Sequence, residues 1–375
     1  MAILAGALGA LGCGRLGFSD PDGGSLGDDD QPCTPSAFPV SEGATRASAP
    51  NLVWNGTKLG VSWLEDATPQ SAHFRTISLD GAADPIANLG VAGEAVEVAW
   101  DSESWRLAWS TADAKPEIMI STNGATPRPL TANPRLDETP RIASLPGGKT
   151  AYLWRTDAST GNARLTVLDA AGSKLVDDLG IATSGYAVAS LNLVWTGSEL
   201  VAFYPMASPM DSSLMMLRMT ADGRPIGPAT MAMTASASLD AVLVRWTGDR
   251  FLVAYSSGGF GGSLYLTYIS RDGIQMFPGV HIDSSGGLLQ GVAPSIAVGP
   301  TSDALVWDKD TDISYLVEVF HDGTLGKLYA FEDTSVPAVA WVGTAWMLAV
   351  AQIQHPTTSM PNPKPDYIKL IRFCR

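Results

Sequence analysis

A short turn flanked by apolar runs recurs along the chain, and this repeat constrains the fold more than any other feature. It reads Val53-Trp54-Asn55-Gly56, Val194-Trp195-Thr196-Gly197, Arg245-Trp246-Thr247-Gly248 and Ala340-Trp341-Val342-Gly343, with Trp100-Asp101-Ser102 as a looser copy. Nine residues after each Trp stands a second marker: Trp63, Trp109, Tyr204, Tyr255 and Val350. The same spacing finds two degenerate copies, Leu145 before Trp154 and Val298 before Trp307. The first column therefore falls at 54, 100, 145, 195, 246, 298 and 341. A constant hairpin inside a repeat of variable length is the mark of an array of like units.

Each unit parses as four short strands. Two residues before the first column stand Leu52, Val98, Ala143, Leu193, Val244, Ile296 and Val339, one face of a strand with period two. The second strand repeats the offset with Val61, Leu107, Tyr152, Ala202, Val253, Leu305 and Leu348. A third strand ends in Asp80-Gly81, Asp222-Gly223, Asp272-Gly273 or Asp322-Gly323, with Asn123-Gly124 as a variant. A weaker fourth strand follows, such as Pro85-Leu89 or Leu325-Ala330. Four antiparallel strands per unit of this length predict an all-β, seven-bladed β-propeller over residues 37–375. A sandwich array would need units near 100 residues.

The last unit offers only three strands, Pro337-Trp341, Ala345-Ala351 and Tyr367-Phe373. An unpaired edge is a liability, so Ala37-Val40 is expected to complete the last blade and close the ring. Cys33 and Cys374 flank the place where other blades carry a tight turn, and a disulfide between them is expected; the alternative is two free thiols.

Residues 1–12 read as a signal peptide, with an apolar run at Ala2-Leu11 too short to span a bilayer. Gly9-Ala10-Leu11-Gly12-Cys13 resembles the lipobox of bacterial lipoproteins, which implies acylation of Cys13; a plain signal peptide with an incidental Cys is the alternative. Residues 13–36 then form an acidic Gly/Asp-rich tether. Taken with its repeats, the chain resembles uncharacterised bacterial lipoproteins with a seven-bladed propeller. That resemblance implies an extracytoplasmic protein, lipid-anchored at the outer membrane of a Gram-negative bacterium.

Net charge is −14, from 38 acids and 24 bases, which argues against nucleic acid as a partner. Four His and three Cys leave no usual zinc site, and no cofactor is expected. His73, His281, His321 and His355 fall in different blades without a matching nucleophile motif, and His321 simply precedes a turn. Connections between second and third strands are longer and dissimilar, such as Glu65-Ala72, Asp308-Ser314 and Gln352-Asp366, so the face carrying them is the expected binding face. Its candidate residues are Glu65, Asp66, Asp157, Asp308, Asp310 and Asp312. Asp308, Asp310 and Asp312 also start like a calcium loop, but Ile313 and Val319 replace its Gly and Glu, and a hydrated acidic turn is the plainer reading. The expected role is a cell-envelope binding or scaffold module for an unknown protein or glycan, touching membrane through its lipid alone. A propeller glycoside hydrolase or lyase using two carboxylates is the alternative.

Overall fold

The computed structural model describes residues 36–41, 46–94, 96–156, 162–182, 190–207, 212–235, 239–257, 262–283, 294–310, 312–353 and 366–373, with the backbone alone at 240, 309, 310 and 336. Cys13, Cys33, Cys374 and Asp157 lie outside these residues. The described chain forms seven four-stranded antiparallel sheets. Six take four consecutive strands. The seventh takes three from the end of the chain, Thr334–Trp341, Trp346–Gln352 and Tyr367–Phe373, and one from its start, Ser36–Pro39. Ser36 pairs with Arg372 and Pro39 with Lys369, which is the closure expected from the missing strand.

The first strand of every sheet lies innermost: Ala47–Trp54, Glu97–Trp100, Asp137–Leu145, Asn192–Trp195, Leu239–Trp246, Ser295–Val298 and Thr334–Trp341. Each touches the inner strand of the next blade, and the seventh touches the first, so the ring surrounds a central channel. In a four-stranded antiparallel sheet, the second-to-third turn and the crossing to the next blade emerge at one end. That end is the crossover face. The other end is the tight-turn face.

Side-chain chemistry explains the tight turns. Asn55 Oδ1 accepts from the Thr57 and Lys58 backbone N–H groups at 2.8 and 2.7 Å. Asp101 Oδ1 does the same for Glu103 and Ser104 at 3.0 and 2.6 Å. An Asn, Asp or Thr after the first-column residue thus replaces a backbone partner the turn lacks. Gly223 sits at φ 77°, and a Cβ there would come within 2.6 Å of Val167 Cγ2 in the previous blade. Only glycine meets both conditions.

Seven apolar clusters lie one at each seam between neighbouring blades. Trp63, Trp109, Trp154 and Trp307, four of the second-column markers, are among the largest fully buried side chains. Each removes on the order of 200 Å² from water, roughly 5 kcal/mol as an upper bound.

Two expectations need correction. In blade 3, Arg141 pairs with Leu153 as Asn51 pairs with Ser62 in blade 1, so the counterpart of Trp54 is Ser144, not Leu145. The turn there is a three-residue Pro146–Gly148 helical turn that begins one residue late. In blade 6, the expected long connection Asp308-Ser314 is not a loop. Asp308 pairs with Ser314 and Asp310 with Ile313, so strand pairing runs into this stretch from both sides.

Candidate functional site

The channel wall is built in layers, because equivalent residues of the seven inner strands stand at one height. The residue paired with the position just before the second marker is Asn51, Glu97, Arg141, Asn192, Leu243, Ser295 and Ala338 in blades 1 to 7. An innermost strand has one edge with no strand partner, and its backbone groups need partners of another kind. Three residues of this layer supply them from the preceding blade. Asn192 Nδ2 donates to Val242 O at 2.9 Å, and its Oδ1 accepts from Val244 N at 2.9 Å. Arg141 Nε donates to Leu191 O at 2.8 Å, and Ser295 Oγ accepts from Val339 N at 3.3 Å. Asn51 Nδ2 donates to Glu97 Oε2 at 3.3 Å, and Glu97 Oε1 holds Arg141 Nη1 in an ion pair.

Two residues nearer the tight-turn face lies a second layer: Val53, Ala99, Ala143, Val194, Arg245, Ala297 and Ala340. Six are small and apolar, and the seventh is an arginine. Arg245 is reached by water, yet protein surrounds it, and that enclosure draws its guanidinium below the ordinary arginine range. The charges it feels are Glu97 and Arg141, on blades 2 and 3, while Arg245 belongs to blade 5. Groups that far apart around the ring meet only across the channel.

At the crossover mouth, Glu138 pairs with Arg155 at 2.6 Å, beside Glu94 in the crossing from blade 1 to blade 2. Burial raises the Glu94 carboxyl above its usual range; Arg155 opposes this and Glu138 adds to it. The mouth therefore gathers Glu94, Glu138 and Arg155, with the Glu97–Arg141 pair beneath them.

Of the acids singled out from the sequence, Glu65, Asp66, Asp308 and Asp312 are described with their side chains, and they lie on two blades that are not neighbours. Glu65 Oε1 accepts the indole N–H of Trp63 at 3.3 Å, and Asp66 is exposed and accepts from Gln70 Nε2 at 3.1 Å. Asp308 is buried and accepts from Ser314 Oγ at 2.7 Å. Asp312 is half-buried, and its backbone carbonyl accepts from Thr334 N at 3.1 Å. Asp308 and Asp310 thus stand in paired strand positions, and among the described residues no group of three His, Cys, Asp or Glu gathers. Buried indoles use further acids: Trp154 donates to Asp137 at 3.0 Å, Trp307 to Asp283 at 3.2 Å and Trp346 to Glu318 at 2.9 Å. A buried indole N–H needs such an acceptor.

Two histidines have partners that the sequence did not disclose. His73 Nε2 lies 2.9 Å from Ser71 Oγ and 3.7 Å from Glu65 Oε2, and burial lowers its imidazole below the ordinary range although Glu65 opposes this. A relay needs serine on one ring nitrogen and acid on the other. Here both gather on Nε2, so no relay forms. His321 lies 3.7 Å from the fully buried Asp303, which also accepts from Tyr268 Oη at 3.2 Å. Arg250 stacks on Tyr268 and donates to the His321 carbonyl at 2.5 Å. This cluster locks blades 5 and 6 together at the tight-turn face.

The channel belt has a signal in sequence. Its residues stand three before the first column, or four before Leu145, and Arg245 stands one before it. A lone charge in a column of Ala and Val marks a position that faces an open space.

No protein-family model matches the chain, and no curated protein matches it. Solved structures match its fold. An ulvan lyase of a new polysaccharide lyase family, bound to -[GlcA(1-4)Rha3S]-, superposes with a TM-score of 0.60 at 9% identity, covering 88% of this chain and 94% of that one. A puromycin-hydrolyzing peptidase of Mycobacterium tuberculosis matches with a TM-score of 0.51 at 12% identity, over 82% of this chain and 50% of that one. At such identities the likeness shows the propeller fold alone.

Proposed function

We propose that the chain is a binding or scaffold module of the bacterial cell envelope, anchored at the outer membrane by a lipid on Cys13. It presents its crossover face, centred on the channel mouth, to a protein or glycan. The observation that carries this reading is the difference between the faces. The crossover mouth gathers Glu94, Glu138 and Arg155 over an inner polar belt. The tight-turn face spends its Asn and Asp side chains on its own turns. Binding sites sit where variable connections meet on a rigid scaffold.

The test is a glycan array, with ulvan oligosaccharides included, together with an envelope pull-down, using the full chain. Arg155→Glu at the mouth should abolish capture, and Asp322→Lys on the tight-turn face should leave it intact. Capture that follows Asp322 instead places the site on the wrong face. Mass spectrometry of the N-terminal peptide after expression with its leader checks the anchor; an unmodified Cys13 removes the lipid.

A second reading keeps one supporting observation. Glu94, with its carboxyl held up, lies beside Glu138, and a carboxylate pair with unlike environments is what glycoside chemistry uses. Turnover of a polysaccharide that Glu94→Gln abolishes without loss of binding would select this reading.

A further inference from the structure

Arg245 is a charge that nothing else in the channel uses. Among the described residues no carboxylate pairs with it, and its one hydrogen bond is from Nη1 to the Val244 carbonyl at 3.2 Å. A guanidinium has five N–H donors, so most of its fork faces water. The layer around it is Val53, Ala99, Ala143, Val194, Ala297 and Ala340, which supplies no side-chain acceptor. One layer nearer the mouth, Glu97 is committed to Arg141 and Asn51. The two layers together therefore hold two cationic side chains and one anionic one, in a chain of net charge −14. Glu97, the carboxylate whose charge Arg245 feels, is already held by Arg141 and Asn51, so an anion could meet Arg245 without displacing a partner.

We propose that the central channel binds an oxyanion, the carboxylate or sulfate group of a ligand, on the free guanidinium fork of Arg245. The small apolar wall leaves room for the group. The planar fork suits two oxygens of either anion at once. Asn51 and Arg141 sit one layer above, where the rest of the ligand would pass toward the mouth. This inference rests on the reading that the mouth is the binding site, since it names the chemistry of what enters there.

Simple anions test it on the full chain without knowledge of the natural ligand. Acetate and sulfate are titrated separately against chloride at constant ionic strength, following the melting temperature and the arginine Nε–H resonances by NMR. The expected result is a saturable response of one arginine signal, identified as Arg245 by its loss in Arg245→Gln. That variant should bind at least about tenfold more weakly, the measure of one lost charge-assisted hydrogen bond. Arg245→Lys keeps the charge without the fork and should fall between the two. If Arg245→Gln does not fold, Arg245→Lys and the wild-type resonances still decide the matter. A response to acetate alone marks a carboxylate ligand, and one to sulfate alone a sulfate ester. No saturable response in the wild-type chain, or an equal response in both variants, overturns the proposal. Glycan capture at the mouth with no Arg245-dependent anion response refutes the anion site and spares the mouth. Anion binding without any capture that depends on Arg155 refutes the mouth and spares the anion site.

Discussion

Around the channel, blades 1 to 4 and blades 5 to 7 hold equivalent seams by different means. In the first arc every belt position is polar: Asn51, Glu97, Arg141 and Asn192 each reach into the next blade. In the second arc the same positions are Leu243, Ser295 and Ala338, and only Ser295 makes a bridge to the next inner strand. At the belt, therefore, a seam needs no side-chain bridge; the blade 5–6 and blade 7–1 seams carry theirs elsewhere, as Tyr268 to Asp303 and Arg75 to the Val40 carbonyl. Arg141, Asn192 and Ser295 reach backbone groups that would otherwise lack a partner, whereas Asn51 and Glu97 reach side chains. The polar arc is then the part of the ring whose sequence is least free to change, and the second arc carries both the closure and the unpaired Arg245.

The largest expected effect lies in the second arc. Cys33 stands three residues before Ser36, and Cys374 follows Phe373, at the ends of two strands that pair. A bond between them would close a loop of about 340 residues, on the order of 5 kcal/mol in the chain-entropy model. Reduction should lower the melting temperature, and hydrogen exchange should show blade 7 opening before the polar arc. Non-reducing peptide mapping checks the bond itself; two free thiols there would remove this asymmetry. In the polar arc, Asn192→Leu copies blade 5 into blade 4 and strands Val242 O and Val244 N. Two orphaned backbone groups should cost about 3 kcal/mol in urea unfolding. A loss under about 0.5 kcal/mol would mean that the two arcs are equivalent after all.

Smaller changes sharpen the same contrast. Arg141→Met leaves Glu97 with Asn51 only, and both charges are partly screened by water. A loss of about 2 kcal/mol is expected in urea unfolding, and it should shrink as salt is raised. The smallest effect is at the mouth. The folded chain raises the Glu94 carboxyl above its unfolded value, so its charged form opposes folding. That penalty is complete above the folded pKa and vanishes below the unfolded value, about 4.3 for a glutamate. Glu94→Gln should therefore melt higher than the wild type at pH 7 and equal to it near pH 4. An advantage that persists unchanged at pH 4 would point to packing and not to charge.

Most of the fold was legible because it repeats. A hairpin of fixed spacing announces itself seven times, and the missing strand follows from counting. The one-residue slip in blade 3 was not legible, because Pro146-Gly147-Gly148 begins its turn after Leu145 and the nine-residue spacing to Trp154 survives by accident. The site was far less legible. Acids were sought in loops, but Glu65 and Asp308 turn back onto Trp63 and Ser314. Those bonds depend on strand register, which apolar spacing does not report. Arg245 and the belt were readable in principle as columns of the repeat, but a column shows its meaning only once its residues are known to face a channel.

The pairing of Ser36–Pro39 with Tyr367–Phe373 also sets an order of assembly. The Ser41 hydroxyl accepts from Ile368 N across 327 residues of chain. Contacts of such separation are slow to form, because the entropy of closing the loop must be met before they contribute. Blades 1 to 6 are each contiguous in sequence and can form as the ribosome delivers them. The seventh must wait until Tyr367–Phe373 has been synthesised. Until then the first strand has no partner, and the ring stands open with one gap. A circular permutant with new termini in a turn of blade 4 would join the two halves of blade 7 into one hairpin and move that gap, and the wait with it, to the opposite side of the ring.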